Sequence, residues 1–126
     1  MAGIGIIRCE KNEKRCPLTG GFKAMASASQ GFVGYEGCEP MGVLTCRCPG
    51  DGFVDLAKIL KAKGAEAIHV PTCTFAHKEG NVWEMGGGFC DHIDALVRQA
   101  AAETGILVVK GTAHLPGGYQ PERFEM

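Results

Sequence analysis

The stretch GIGIIRC, residues 3–9, decides the predicted fold class. It is a short run rich in isoleucine with almost no polar interruption, which is typical of a β-strand that is buried on both faces. Such strands belong to parallel sheets that are covered by helices on each side. We therefore expect a helix-covered parallel sheet with this segment inside it.

The segments that follow alternate between helical and extended patterns. Further strands are predicted at Pro40–Cys46, Ala67–Thr72 and Ile106–Lys110. Helices are predicted over residues 21–29, over the segment FVDLAKILKAKG after Asp51, and over Asp91–Glu103. The polar, glycine-rich segment 76–88 is expected to be a loop, and the tail from Leu115 onwards shows no clear periodicity.

This alternation predicts the topology, because parallel strands require crossover connections. We expect an α/β fold: one three-layer α/β/α domain over residues 1–126, with a four-stranded, mostly parallel sheet. The flavodoxin-like strand order 2-1-3-4 is the simplest arrangement.

Composition excludes several classes of function. The chain has 126 residues, 45% of them hydrophobic and 21% charged, with a net charge of −1, which gives no electrostatic basis for binding nucleic acid or an anionic membrane. The N-terminal segment lacks the features of a signal peptide, and no apolar run reaches the roughly 18 residues of a membrane span. We therefore expect a cytoplasmic protein with neither a nucleic-acid nor a membrane partner.

Seven cysteines are unusual in so small a domain. A disulfide framework usually needs an even number and an oxidising compartment. In a reducing cytoplasm, this density of cysteines indicates metal ligation or thiol chemistry instead.

Most of these cysteines fall near the carboxyl ends of predicted strands, where open α/β sheets bind their ligands. The candidate site residues of this edge are Cys9, Cys16, Cys46, Cys48, Cys73, Cys90, His92 and His114. Cys38 receives no role, His69 is expected to be a core histidine, and His77 is expected to be solvated. We therefore predict one shared cysteine-rich site.

The chain also resembles the CGGC-domain family of small bacterial and archaeal proteins. The matching pieces, in order, are GIIRCE, RCP, LTCRCPG, GAEAIHVPTC, CDHID and VVKGTAH. Three pieces depart from the family pattern: Cys46-Arg47-Cys48 replaces Cys-Gly-Gly-Cys, Cys90-Asp91-His92 replaces Cys-Pro-His, and Gly111-Thr112-Ala113-His114 replaces Gly-Thr-His. The resemblance implies a metal or redox site built from the six cysteines named above, with His92 and His114 as further candidates.

Three chemistries are compatible with these residues. A cluster of thiolates favours zinc or an iron–sulfur cluster over magnesium or calcium. Alternatively, Cys48 with Cys46, or Cys90, lies near a predicted helix start and serves in metal-free thiol redox or thiol transfer. The spacing Cys9-x5-Arg15 is also that of cysteine phosphatases, but the intervening loop carries two glutamates and no glycine, which disfavours a phosphate cradle.

Overall fold

A computed structural model describes residues 1–125 of the protein. Its seven strands are β1 (Ala2–Cys9), β2 (Cys38–Cys46), β3 (Ala67–Val70), β4 (Ala76–Glu79), β5 (Val82–Met85), β6 (Leu107–Lys110) and β7 (Glu122–Phe124). Its four α-helices are α1 (Glu10–Glu13), α2 (Thr19–Ser27), α3 (Phe53–Ala62) and α4 (Ile93–Thr104). Short 3-10 helices lie at Gln30–Phe32 and Thr72–Thr74.

The main sheet has five strands in the order β2-β1-β3-β6-β7. The first four are parallel to their neighbours, and β7 is antiparallel to β6. The α/β class and the mostly parallel sheet are therefore confirmed, but the count of four strands is wrong. The extra strand comes from the tail, where three residues are too short for a hydrophobic period to show.

The prediction of a loop over residues 76–88 is also wrong, because most of these residues form a β-hairpin. Strands β4 and β5 pair antiparallel as a separate two-stranded sheet. The loop between them consists of Gly80 and Asn81, and Gly80 has a φ of +60°. A glycine that opens a two-residue loop between short strands is a hairpin signal, which the high polarity of the segment conceals.

Strand β1 is buried on both faces, as its composition predicts. Ile4 and Ile6 pack with Leu18, Met25 and Phe32 on the side of α2, whereas Ile7 packs on the other side with α3 and α4. Gly5 allows α3 to lie close to the strand, since a Cβ atom there would be 2.9 Å from Leu60 Cδ1. Two hydrophobic cores thus hold the sheet between its helices.

Buried Lys110 ties the C-terminal elements together. Its Nζ atom donates to Asp94 Oδ1 in α4 at 2.6 Å and lies 3.4 Å from Glu122 Oε1 in β7. The same atom is 4.9 Å from the centre of the Phe75 ring. These contacts fix β7 beside β6.

The two outer strands of the main sheet differ in length. Strand β2 has nine residues, including Glu39 and Pro40, and its pairing with β1 shifts register between Ile4 and Gly5. Strand β7 has three residues. Within residues 1–125, every helix is too short or too polar to cross a lipid bilayer.

Candidate functional site

The carboxyl edge of the sheet carries two neighbouring cavities. The first, which we call the thiol cavity, has a volume of about 160 Å³ and is lined by residues that include Cys9, Cys46, Cys48, Cys90 and His92. The second, which we call the Trp83 cavity, has a volume of about 300 Å³ and is lined by residues that include Cys16, Cys73, Trp83 and His114. The thiols are therefore divided between two cavities, whereas the sequence predicts one shared site.

Register places the first two thiols of the thiol cavity side by side. Cys9 ends β1 and Cys46 ends β2, and the two are direct partners in the parallel pairing. Partners in register project to the same face of a sheet. Cys9 also caps α1, because its Sγ accepts a hydrogen bond from the Lys11 N–H at 3.5 Å.

Cys48 and Cys90 reach the thiol cavity from loops. Cys48 is exposed, and its backbone N–H donates to Glu10 Oε2 at 2.7 Å. Cys90 is positioned by backbone hydrogen bonds from Phe89 N–H to the Cys73 carbonyl and from Cys90 N–H to the Thr74 carbonyl, both 3.0 Å.

Gly88 makes this approach possible. A Cβ atom there would lie 2.5 Å from both the Thr74 carbonyl oxygen and the Phe75 nitrogen. Only a bare backbone fits so close to the 3-10 helix, so the position of Cys90 depends on glycine at residue 88.

Two half-buried thiols of the thiol cavity, Cys46 and Cys90, favour their protonated forms. Burial, followed by the neighbouring thiols of Cys90, Cys9 and Cys48, raises the pKa of Cys46 to about 11. Burial also raises the pKa of Cys90, against the opposing effect of a hydrogen bond from the His92 backbone. Ionising several of these thiols together therefore requires a compensating positive charge.

Thr74 adds an unsatisfied group to the same cavity. The residue is 4% exposed and lines the thiol cavity. Its Oγ1 atom has no hydrogen-bond partner within residues 1–125. A buried hydroxyl without a partner is unfavourable by about 1–3 kcal/mol, so this atom is a ready contact for a bound group.

The Trp83 cavity has a different character. Asn12 Nδ2 donates to Cys73 Sγ at 3.0 Å, while Asn12 Oδ1 accepts from Arg8 Nε at 3.1 Å. Burial raises the pKa of Cys73 to about 11, with the Asn12 hydrogen bond opposing and the Cys16 thiol reinforcing the shift. Cys16 Sγ accepts the Leu18 N–H at 3.3 Å.

The remaining sulfur and imidazole groups lie elsewhere. Cys38 begins β2 and pairs with Ala2 at the opposite edge of the sheet. His69 is fully buried, 2.8 Å from Tyr35 Oη and 2.9 Å from the Gly111 carbonyl oxygen. His77 lies on the hairpin, 3.3 Å from a Glu79 oxygen and 2.7 Å from the Gly86 carbonyl oxygen.

The phosphatase interpretation fails on geometry. Cys9 lines the thiol cavity, whereas Arg15 lines the Trp83 cavity with its guanidinium 5.3 Å from the centre of the Phe89 ring. A phosphate-binding arginine has to face the same pocket as its cysteine.

The sequence prediction missed three residues of this edge: Thr74, Asn12 and Trp83. Thr74 lies just after the end of a predicted strand, and this position is a signal for a site residue even though threonine is neither a cysteine nor a histidine. Asn12 gives no signal, because its role depends on the fold of α1. Trp83 is the single tryptophan of the chain, and its place depends on the unpredicted hairpin.

The sulfur and nitrogen donors of the thiol cavity suit a soft metal, but their side chains do not surround a common point at which a metal ion could bind. Four thiols and an imidazole line the thiol cavity, and such ligands select zinc or iron–sulfur clusters. Within residues 1–125, however, no three cysteine, histidine or acidic side chains converge closely enough to hold a metal ion. Metal binding in this cavity therefore requires side-chain rotation.

Comparison with known proteins places the chain in a family. No solved structure matches it. An uncharacterised protein of Methanocaldococcus jannaschii is 36% identical, in a match that covers 86% of this chain and 84% of that protein. The sequence model of the CGGC domain matches residues 3–113. The chain therefore belongs to the CGGC-domain family.

Proposed function

We propose that the protein binds a metal in the thiol cavity. The observation that carries this proposal is the convergence of Cys9, Cys46, Cys48 and Cys90 from separate segments on one cavity. The unsatisfied Thr74 hydroxyl in its wall is an additional contact for a bound group. Membership of the CGGC-domain family agrees with this function.

The four cysteines would supply the ligands, and His92, which also lines the cavity, would supply a fifth donor. Four thiolates match either tetrahedral zinc or an iron–sulfur cluster. A bound cation would offset the burial and, to a lesser extent, the repulsion between thiols that raise the pKa of Cys46 and Cys90. We place Cys16, Cys73 and His114 outside this ligand set, because they line the other cavity.

Metal analysis tests the proposal. Protein reconstituted without oxygen, with zinc or with iron and sulfide, should retain a stoichiometric amount of metal after desalting. Visible absorbance of the protein treated with iron and sulfide would identify a cluster, and elemental analysis would identify bound zinc. The variants Cys46→Ser and Cys90→Ser should lower the metal content sharply.

Cys38→Ser is the matched control, because Cys38 lies at the far edge of the sheet. It should bind metal as the wild type does. Wild-type protein that retains no metal, or a Cys38→Ser loss equal to that of Cys46→Ser, would exclude a metal site in the thiol cavity.

One observation favours a second candidate, thiol–disulfide exchange. Cys48 is the exposed cysteine, whereas Cys46 is half-buried with a raised pKa. In this reaction the Cys48 thiolate attacks a small disulfide, forms a mixed disulfide and releases one thiolate of the substrate. Cys46 or Cys90 then displaces the second thiolate, and an external dithiol reduces the resulting protein disulfide.

Metal-free protein provides the test of this candidate. With excess dithiol, the wild type should accelerate reduction of a chromogenic aryl disulfide, and Cys48→Ser should abolish the acceleration. Cys38→Ser should leave the rate unchanged. Equal rates with wild type and Cys48→Ser would rule out this activity.

A further inference from the structure

The Trp83 cavity is a second concave site that the proposed metal binding does not use. Its volume of about 300 Å³ lies at the lower end of the roughly 300–1,000 Å³ range of small-molecule sites. It opens at the carboxyl edge of the sheet, where α/β folds bind ligands. Leu18, Pro71 and Ala113 supply part of an apolar wall.

Aromatic rings form another part of the wall. The Trp83 and His114 rings are nearly parallel, with an interplanar angle of 11° and a centroid separation of 6.0 Å. The Phe89 ring also lines the cavity. Such rings present flat surfaces to which a flat, apolar group packs well.

The polar groups of the cavity favour an anion. The Arg15 guanidinium lies over the Phe89 ring, and no aspartate or glutamate of the described chain lines the cavity. Gly20 and Gly21, in the first turn of the nine-residue helix α2, also border it. The backbone N–H groups of a first helical turn carry partial positive charge.

We propose that the Trp83 cavity binds a small organic carboxylate that has a flat apolar body. The carboxylate pairs with Arg15, which presents donors matched to its two oxygens. The apolar body packs on the rings of Trp83 and His114. This site is independent of the metal site, and neither the family assignment nor the metal proposal implies it.

Trp83 is the only tryptophan of the chain, so its fluorescence reports directly on this cavity. Titration with benzoate should change the emission saturably. Benzyl alcohol, which lacks the charge, and acetate, which lacks the ring, should each bind roughly tenfold more weakly or worse. Binding of benzyl alcohol as tight as that of benzoate would overturn the requirement for an anion.

Arg15→Met is the decisive variant, and Arg47→Met is its matched control in the thiol cavity. Both arginines are exposed, so neither change should prevent folding. Arg15→Met should weaken benzoate binding roughly tenfold or more, and Arg47→Met should not. No saturable response of the wild type, or equal affinity in Arg15→Met, would refute the site.

Cys46→Ser separates this proposal from the metal proposal. It should lose metal and keep wild-type affinity for benzoate, measured by the same emission change. Loss of benzoate binding in Cys46→Ser would show that the two cavities are not independent and would overturn the inference.

Discussion

At the scale of single residues, Thr74 is the side chain that the fold satisfies least. Its hydroxyl is buried without a partner in the described chain, whereas buried Thr104 donates to the Ala100 carbonyl at 2.6 Å. Thr74→Val keeps the shape and removes the unsatisfied group. We expect it to stabilise the metal-free protein by about 1 kcal/mol, measured by urea unfolding.

Thr104→Val provides the opposite control. It removes a hydroxyl that also accepts the Ile106 N–H at 3.3 Å, and we expect a loss of about 1–2 kcal/mol. Destabilisation of the same size in Thr74→Val would show that the Thr74 hydroxyl is satisfied after all.

His69 gives the protein a defined sensitivity to acid. A carbonyl oxygen only accepts, so Nδ1 carries the proton towards Gly111 and Nε2 accepts from Tyr35 Oη. Burial lowers the pKa of His69 from 6.5 to about 4. Between pH 6.5 and about 4, His69 therefore binds a proton in the unfolded chain but not in the folded protein. The free energy of unfolding falls as the pH drops through this range.

The size of this effect is about 3 kcal/mol. His69→Gln should be less stable at neutral pH but should lose much less stability across this window, as followed by urea unfolding. His77→Gln, on the exposed hairpin, should keep the wild-type loss. If the stability of His69→Gln depended on pH as that of the wild type does, the loss of stability in acid would not be due to His69.

At the scale of elements, the segment 88–90 couples the hairpin to the thiol cavity. Gly88→Ala places a methyl group 2.5 Å from the backbone of the 3-10 helix. We expect a destabilisation of about 1–3 kcal/mol and, because Cys90 is displaced, a lower metal content. Urea unfolding and metal analysis provide the two measurements.

Gly117→Ala is the control for this change, since a Cβ atom there meets nothing within 4 Å. It should leave stability and metal content close to those of the wild type. If Gly88→Ala behaved in the same way, Cys90 would not depend on this close approach.

Elements with a long hydrophobic pattern were predictable from the sequence. The buried run of β1 and the amphipathic patterns of α3 and α4 appear within a few residues of their predicted bounds. Strand β7 was not predictable, because its placement depends on the buried contacts of Lys110. The four-residue helix α1 was missed for a similar reason, since its N-cap is a cysteine and not one of the usual capping residues.

At the scale of the whole molecule, the sequence predicted at which edge of the sheet the candidate cysteines lie, but not their division between two cavities. Cys9 and Cys46 lie in the same cavity because they end neighbouring strands and are paired in register. Cys16 and Cys73 follow their strands through α1 and a 3-10 helix, and the direction of a side chain after such turns depends on tertiary packing. The split into two cavities therefore needs the three-dimensional structure.

The cysteines of the thiol cavity are exposed to different extents, which predicts an order of chemical modification. In metal-free native protein, iodoacetamide should alkylate exposed Cys48 first, and Cys9, which is 7% exposed, among the last. Peptide mass spectrometry measures the order. In denaturant all seven cysteines should react at similar rates, and equal rates of Cys48 and Cys9 in native protein would contradict the described burial.

The outer strands of the main sheet also affect colloidal behaviour. Exposed strand edges recruit other chains into fibrils unless proline, charge or shortness blocks them. Here β2 carries Glu39 and Pro40, and its register with β1 shifts directly after them, while β7 is three residues long and charged at Glu122 and Arg123. Both margins of the sheet are thus poor templates for amyloid-like growth, and Pro40→Val would make one of them a better template.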